Sequence, residues 1–368
     1  MKYKILFVLE NYYPKIGGVE TLFKNLCEGL AQKGYGVTVL TSGAPGCTEN
    51  EILNGVKIQR LKTSSRYAFT FLAFFEALKH AQNYDLIHTT SYNAALPAFL
   101  GAKFSRKKVL ITFHEMWGTL WFSLPFLNKL SKLAHYLFEK LIAALPFDKF
   151  IAVSKFTYRR LIEEGVEQKR IEFIYNGIDY GKIDDFKLTH KITPYENFTY
   201  TYFGRSGVSK GLDLLFEAAA QIRTQIPNSQ FLLVTPKENH SVASKISKLI
   251  DQHRLREYIN FKQGLSQNEL YTEILKSHCV VIPSYSEGFG FSAVEASALG
   301  TPIVSSGRGA LKEVVSGKFI DLKEFNSSEL TKALLQAYRG DFEEINLKRF
   351  ELSQCLSAYL NLYKRILL

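Results

Sequence analysis

CVVIPSYSEGFGFSAVEASALGTPIVS, residues 279–305, joins three pieces in a telling order. An apolar run (279–283) leads through a glycine turn into a helical pattern (292–299). The turn is Gly288-Phe289-Gly290-Phe291-Ser292, and it lies between two glutamates, Glu287 and Glu295. Glycine lets backbone approach a ligand closely, and the unpaired N–H groups of a helix start point at anions. A strand, a glycine turn and a helix opening in sequence are the unit from which parallel α/β sheets are built.

The same unit recurs on both sides. Strand patterns fall at 4–9, 37–41, 56–60, 86–89, 109–113 and 150–153, separated by amphipathic segments such as 20–32 and 69–81. The pattern loosens over 179–197, a polar stretch with Gly181, Pro194 and several aspartates. It resumes at 198–203, 230–234, 259–262, 279–283 and 302–305, and a last helical pattern covers about 347–367. Alternation of this kind requires crossover connections and parallel sheets covered on both faces. The reading is two doubly wound α/β domains joined by a polar linker, at 1–187 and 188–349, facing a cleft. A terminal helix, about 350–368, is expected to return to the first domain.

A chain of 368 residues exceeds what one hydrophobic core usually serves. Four scattered cysteines without a C-x-x-C pair argue against a disulfide framework or a zinc site and fit a reducing cytoplasm. The apolar run after the N-terminus ends at Glu10 and reads as a core strand, not a signal peptide. No stretch approaches the ~18 uncharged apolar residues of a membrane span. The net charge of +11 is concentrated early: residues 1–190 hold 25 Lys+Arg against 17 Asp+Glu, the remainder 21 against 18. Such a field favours phosphorylated substrates or an acidic membrane surface. No nucleic-acid-binding signature accompanies it.

Several motifs sit at strand ends, where ligands of such folds bind. Gly17-Gly18 opens a helix after the first strand and can meet a phosphate; an ordinary glycine-capped turn is the blander and, for the motif alone, favoured reading. His114 ends the strand 109–113, suited to bonding a hydroxyl or to a structural role. Residues 117–146 are rich in aromatics and leucines with Lys129, Lys132 and Lys140 among them. They read equally as a bilayer-resting surface and as a core-facing helix with snorkelling lysines. Gly204-Arg205-Ser206-Gly207-Val208-Ser209-Lys210-Gly211 follows strand 198–203 and offers two cations for phosphate oxygens, or else is a solvated turn with Ser209 as a helix cap. It lacks the G-K-[ST] of a P-loop. Ser292-x-x-Glu295 also fits a capping box, and Gly288-x-Gly290 imitates a dinucleotide fingerprint but lies too deep in the chain.

Glu287 to Glu295, with Gly300-Thr-Pro-Ile-Val after them, resembles the E-x7-E signature of retaining GT-B glycosyltransferases, above all family four. Residues 202–213 resemble the diphosphate loop of that family, and Ile174-Tyr-Asn-Gly-Ile-Asp179, Ala152-Val-Ser154, Thr112-Phe-His114 and Pro14-x-x-Gly-Gly-x-Glu20 follow its order. The resemblance spans nearly the whole chain. It implies two Rossmann-like domains, with the nucleotide-sugar held mainly by the second and the acceptor by the first. It implies that Arg205 and Lys210 neutralise the leaving diphosphate without metal or cofactor, with Gly204 in their loop. Glu287 with the amides of Gly288, Phe289, Gly290 and Phe291 would hold the donor sugar, and Glu295 would accept from ribose hydroxyls. Gly17 and Gly18 would approach the diphosphate, His114 the donor sugar and acceptor, and Gly264-Leu265 the base. One departure is Gly307-Arg-Gly-Ala-Leu-Lys-Glu313, where the family often carries a glycine pair near a glutamate.

The expected activity is transfer of a hexose from a UDP- or GDP-sugar to a hydroxyl of a glycan or lipid-linked acceptor, in the cytoplasm, with peripheral contact to an anionic membrane. The alternatives are a sugar-nucleotide epimerase of the same fold and a catalytically dead sugar-nucleotide-binding subunit.

Overall fold

The computed structural model describes residues 3–15, 17–63, 65–125, 127–237 and 240–368. Ile16 and Phe126, which fall in two of the motifs above, lie outside them. The chain divides into two compact units: Met1–Ser123, Leu127–Gly177 and Leu352–Leu368 make one, and Ile178–Glu351 forms the body of the other.

The first unit holds eight strands: β1 (Lys4–Val8), β2 (Gly36–Ser42), β3 (Asn50–Leu53), β4 (Val56–Leu61), β5 (Leu86–Thr90), β6 (Lys108–Phe113), β7 (Lys149–Ala152) and β8 (Ile171–Phe173). Their order is β3-β4-β2-β1-β5-β6-β7-β8, parallel except for β3. β3 is absent from the sequence reading. It forms a hairpin with β4 through Asn54-Gly55, both at positive φ, the two-residue turn that an Asn-Gly pair favours.

Connections from β1 and from β5 run in opposite directions, so the switch point lies between these neighbours. The core on one sheet face joins Val8, Ile87 and Ile111 with Phe69, Ala98 and Ile142 from three successive helices. The terminal helix Leu352–Leu367 belongs to this unit. Its Tyr363 hydroxyl is 2.6 Å from His88 Nδ1, whose Nε2 is 2.9 Å from the Thr112 hydroxyl. Thr112 in turn meets the Tyr359 hydroxyl at 3.3 Å, so buried polar groups fix the helix in register.

The second unit holds β9 (Thr199–Phe203), β10 (Gln230–Thr235), β11 (Ile259–Gln263), β12 (Cys279–Ile282), β13 (Ile303–Ser305), β14 (Gly317–Asp321) and β15 (Glu343–Ile345). The order is β11-β10-β9-β12-β13-β14-β15, parallel except for β15, with the switch between β9 and β12. The expected polar linker contains a helix, Tyr180–Thr189, within this unit. Its buried residues, Tyr180, Ile183 and Phe186, recur every third position, and Phe186 packs on Tyr271. The N-terminal portion of the first unit therefore runs to Gly177, and the helix falls in the second unit. All four cysteines are free. Among the described residues no helix is long and apolar enough to cross a membrane.

Candidate active site

The second unit brings most of the expected residues to the carboxyl ends of β9, β12 and β11. After β9, Gly204 takes a φ of 140° and the loop turns back through a Lys210 N–H to Gly207 carbonyl bond of 3.0 Å. The Tyr202 hydroxyl donates to the Arg205 carbonyl at 2.6 Å. Gly211, at φ 67°, caps the helix Leu212–Gln225. A Cβ there would stand 1.9 Å from the Pro283 carbonyl oxygen, so this loop is pressed against the end of β12. The Tyr285 N–H donates to the Ser209 carbonyl at 2.8 Å, and the Tyr285 hydroxyl donates to Asp213 at 2.8 Å. Ser209 thus supplies its carbonyl to the β12 loop, and the helix has no side-chain cap.

Lys210 and Glu287 meet across this seam. The ammonium lies 2.8 and 3.0 Å from the two carboxylate oxygens, and the Ser284 hydroxyl adds a 2.7 Å bond to one of them. Glu287 is buried. A carboxylate held this way fixes the lysine at the sheet's switch point with its charge directed by a partner. Chain order alone does not announce this pairing, since 77 residues separate the two.

The glycine turn continues from Glu287 into the helix Phe291–Leu299. Gly290, at φ 90°, is its N-cap, and Phe289 is buried with its ring 5.0 Å from Phe291. The Ser292–Glu295 capping box is not formed. Ser292 lies inside the first turn and its hydroxyl donates to the Phe203 carbonyl at 3.2 Å, tying this helix to β9. A capping box does form nearby, between Ser266 and Glu269 at the start of helix Gln267–Lys276. Glu295 sits one turn into its helix, and burial raises its carboxyl to about 7. The Tyr271 hydroxyl is close enough to feel that charge. Gly264, at φ 64°, ends β11 with its N–H on the Thr235 carbonyl at 2.9 Å and the Lys237 stem against it; Leu265 follows, half-buried.

Gly17, Gly18 and His114 belong to the first unit. Gly17 is the N-cap of helix Gly18–Gln32, after β1, and His114 follows β6. The His114 ring packs edge-on against Phe23 at 5.7 Å. Neither of its ring nitrogens has a hydrogen-bond partner among the described residues although both are buried, and burial pushes its pKa down to about 3. It is therefore neutral at physiological pH. An imidazole buried without partners is costly, and it suits a group that bonds a bound ligand. Among the described residues no group of three or more His, Cys, Asp or Glu is arranged to hold a metal ion.

Two family profiles cover the chain: Glycosyltransferase Family 4 over residues 16–182 and Glycosyl transferases group 1 over 187–348. An uncharacterized glycosyltransferase of Methanocaldococcus jannaschii is 26% identical over 338 residues, 85% of this chain and 82% of that protein. The structure is similar to that of sucrose-phosphate synthase from Thermosynechococcus elongatus, with a TM-score of 0.77, 21% identity and 99% of both chains covered. It is also similar to Anabaena HepE in complex with UDP-glucose, with a TM-score of 0.70, 17% identity and coverage of 98% and 100%.

Proposed function

The chain belongs to the group 1 glycosyltransferases of GT-B fold, and from that premise we propose a retaining, metal-independent transfer of a hexose from a UDP- or GDP-sugar to an acceptor hydroxyl. The acceptor is a glycan or a lipid-linked saccharide, and the reaction runs on the cytoplasmic side in polysaccharide or glycolipid synthesis. The observation that carries the donor assignment is the seam between residues 204–211 and 283–290. There Lys210 is held by Glu287, and a glycine turn opens a helix at the switch point of the sheet.

The proposed chemistry follows from where charge develops. As the bond from the sugar's C1 to the diphosphate oxygen breaks, negative charge gathers on the leaving diphosphate. Arg205 and Lys210 take up that charge, Lys210 as a cation already held by Glu287, and the first amides of helix Phe291–Leu299 add their dipoles. A cation already oriented by a carboxylate needs little reorganisation when the charge appears. In this reading Glu287 serves first to aim Lys210, and with the Gly288–Phe291 turn it borders the sugar. Glu295 accepts from the ribose hydroxyls, Gly264 and Leu265 flank the base, and Gly17 and Gly18 serve the diphosphate. His114, neutral and without a hydrogen-bond partner among the described residues, bonds a hydroxyl of the transferred sugar or the acceptor. The UDP-glucose bound by the Anabaena protein supports a UDP-sugar as the first donor to try.

Thermal-shift screening against UDP- and GDP-sugars, with and without EDTA, tests the proposal, because a ligand bound only by the folded state raises its melting point. A shift with one nucleotide-sugar that survives chelation is expected. No shift with any of them, or one that needs added metal, overturns the corresponding part. A product anomer inverted relative to the donor overturns retention.

A further inference from the structure

A carboxylate faces the interior of the first unit where an apolar side chain would serve packing alone. On helix Lys129–Ala144 the buried positions are Glu139, Ile142 and Ala143, so this side of the segment packs into the protein. Glu139 is 1% exposed, and a charge at that depth is costly unless it is bonded. Its Oε1 accepts from the Tyr92 hydroxyl at 2.9 Å and from the Trp117 N–H at 3.1 Å. Its Oε2 accepts from the Gly118 N–H at 2.6 Å and from the Trp121 indole at 3.1 Å. These donors lie beyond two strand ends. β5 and β6 are neighbours with Thr90 opposite Thr112, so Tyr92 and His114 each stand two residues past that pair. Tyr92 takes a φ of 71°, a left-handed backbone that a bulky residue adopts only when its surroundings hold it there.

We propose that Glu139 is a positioning residue for the transfer reaction, setting the place of His114 through residues 116–118; this rests on the reading of His114 given above. β6 fixes the backbone up to Phe113, and neither ring nitrogen of His114 has a hydrogen-bond partner among the described residues. The segment that follows is gripped from two sides. Glu139 takes the N–H groups of Trp117 and Gly118. Arg160, on helix Lys155–Glu163, donates to the carbonyls of Met116 at 3.4 Å and Trp117 at 2.8 Å, and is itself held by Glu163 at 2.6 Å. Gly118, at φ 50°, leaves no room for a side chain, since a Cβ there would meet the Glu164 carboxylate and the Arg160 guanidinium. The Trp117 indole donates to Glu115 at 2.7 Å, so the residue after His114 is tied to the same segment. A carboxylate with both oxygens doubly bonded to donors and a guanidinium on the facing carbonyls thus converge on three residues of backbone. A group that meets a reacting substrate must be held to within about half an ångström, and this clamp does so for an imidazole with no bond of its own.

The full chain carries its own reporters. Trp117 and Trp121 are its only tryptophans, and their indole N–H groups bond Glu115 and Glu139. Their signals in a proton–nitrogen correlation spectrum, with the His114 imidazole signal assigned by its loss in His114→Gln, read the clamp without any ligand. Glu139→Gln keeps the volume but turns an amide N–H toward other N–H donors, and it is expected to move both indole signals and that of His114. Tyr92→Phe removes one bond and should move them less. Arg160→Lys, which cannot span two carbonyls, loosens the opposite grip and serves should the first variant fail to fold. A His114 signal unmoved in every folded variant overturns the proposal. Turnover is read as UDP release from UDP-glucose, and in Glu139→Gln kcat is expected to fall at least about tenfold while KM for UDP-glucose stays within about twofold. In a His114→Gln background the same substitution should have little further effect, because a positioning residue acts through the group it positions. Full additivity, or a lowered melting point with unchanged kcat, overturns the proposal in favour of a purely structural carboxylate. A fully active His114→Gln overturns the role of that histidine and this proposal with it. Absence of UDP release by wild type counts against UDP-glucose as donor alone, and the spectra then decide the clamp.

Discussion

Glu295 offers a prediction in which function and stability move in opposite directions. Its carboxyl has a folded value of about 7 because burial disfavours the charge, against an ordinary value of 4.5. An acid raised in the folded state is more ionised in the unfolded chain, so its cost to folding is absent below about pH 4.5. That cost grows as pH rises to about 7 and is constant beyond. The shift corresponds to about 3 kcal/mol at pH 8. Glu295→Gln removes the charge while keeping the shape. The variant is therefore expected to match wild type in melting point near pH 4.5 and to exceed it at pH 8. Ribose hydroxyls donate hydrogen bonds that a carboxylate accepts more strongly than a neutral group. Where only the ionised form binds, the apparent dissociation constant for a nucleotide-sugar is about tenfold weaker at pH 6 than at pH 8, given a value near 7. His114, at about 3, does not titrate in that window. Isothermal titration with the nucleotide-sugar found by thermal shift, at pH 6, 7 and 8, reads this slope. The diphosphate diester of a nucleotide-sugar does not itself ionise there. In Glu295→Gln the slope should vanish and the affinity should sit near the low-pH wild-type value. A wild-type affinity flat from pH 6 to 8, together with no stability gain in the variant at pH 8, refutes the reasoning.

Three further outcomes follow from the seam. Arg205→Ala and Lys210→Ala should each cut transfer by more than about 10²-fold, as removal of other charge-stabilising groups does, and near-wild-type turnover in both would refute the electrostatic account. Lys210→Ala also leaves buried Glu287 without its counter-ion, so denaturant titration should show a loss of about 3 kcal/mol that Glu287→Gln in the same chain largely restores. Gly211→Ala places a methyl 1.9 Å from the Pro283 carbonyl at positive φ and is expected to destabilise by more than about 2 kcal/mol, whereas Gly207→Ala meets nothing nearer than 3.7 Å and should leave the melting temperature within a few degrees.

The parallel strands were legible because each carries a short apolar run that burial on both faces demands; β1, β9, β10 and β12 fall within a residue or two of their expected ends. The elements that escaped carry weaker signals. β3 reads Asn-Glu-Ile-Leu and buries little, yet the Asn54-Gly55 turn that creates it was visible. Helix Tyr180–Thr189 hid behind a polar composition, since three buried residues suffice to dock it. A capping motif misled for a different reason. Ser292 and Glu295 have the required spacing, but Gly290 in the left-handed region starts the helix earlier and carries Ser292 past the cap position, where its hydroxyl reaches the end of β9 instead.

The site shows the same division between local and tertiary information. Glycines, cations and carboxylates could be placed at strand ends from their order alone, because position along a βα unit is a local property. Their pairing could not, because it depends on which strands become neighbours. β9 and β12 lie side by side at the switch point although 75 residues (204–278) lie between them in the chain, and that adjacency brings the loop after one against the loop after the other. Gly211 against Pro283, Ser209 against Tyr285 and Lys210 against Glu287 are three successive contacts of that single seam. A lysine in a glycine-rich loop would otherwise sample many rotamers in water. Clamped between a turn that admits no Cβ and a carboxylate fixed by Ser284, it is held before any substrate arrives. On this account Glu287→Gln should lower kcat more than it raises KM, because it frees the cation that must be in place as charge leaves the sugar.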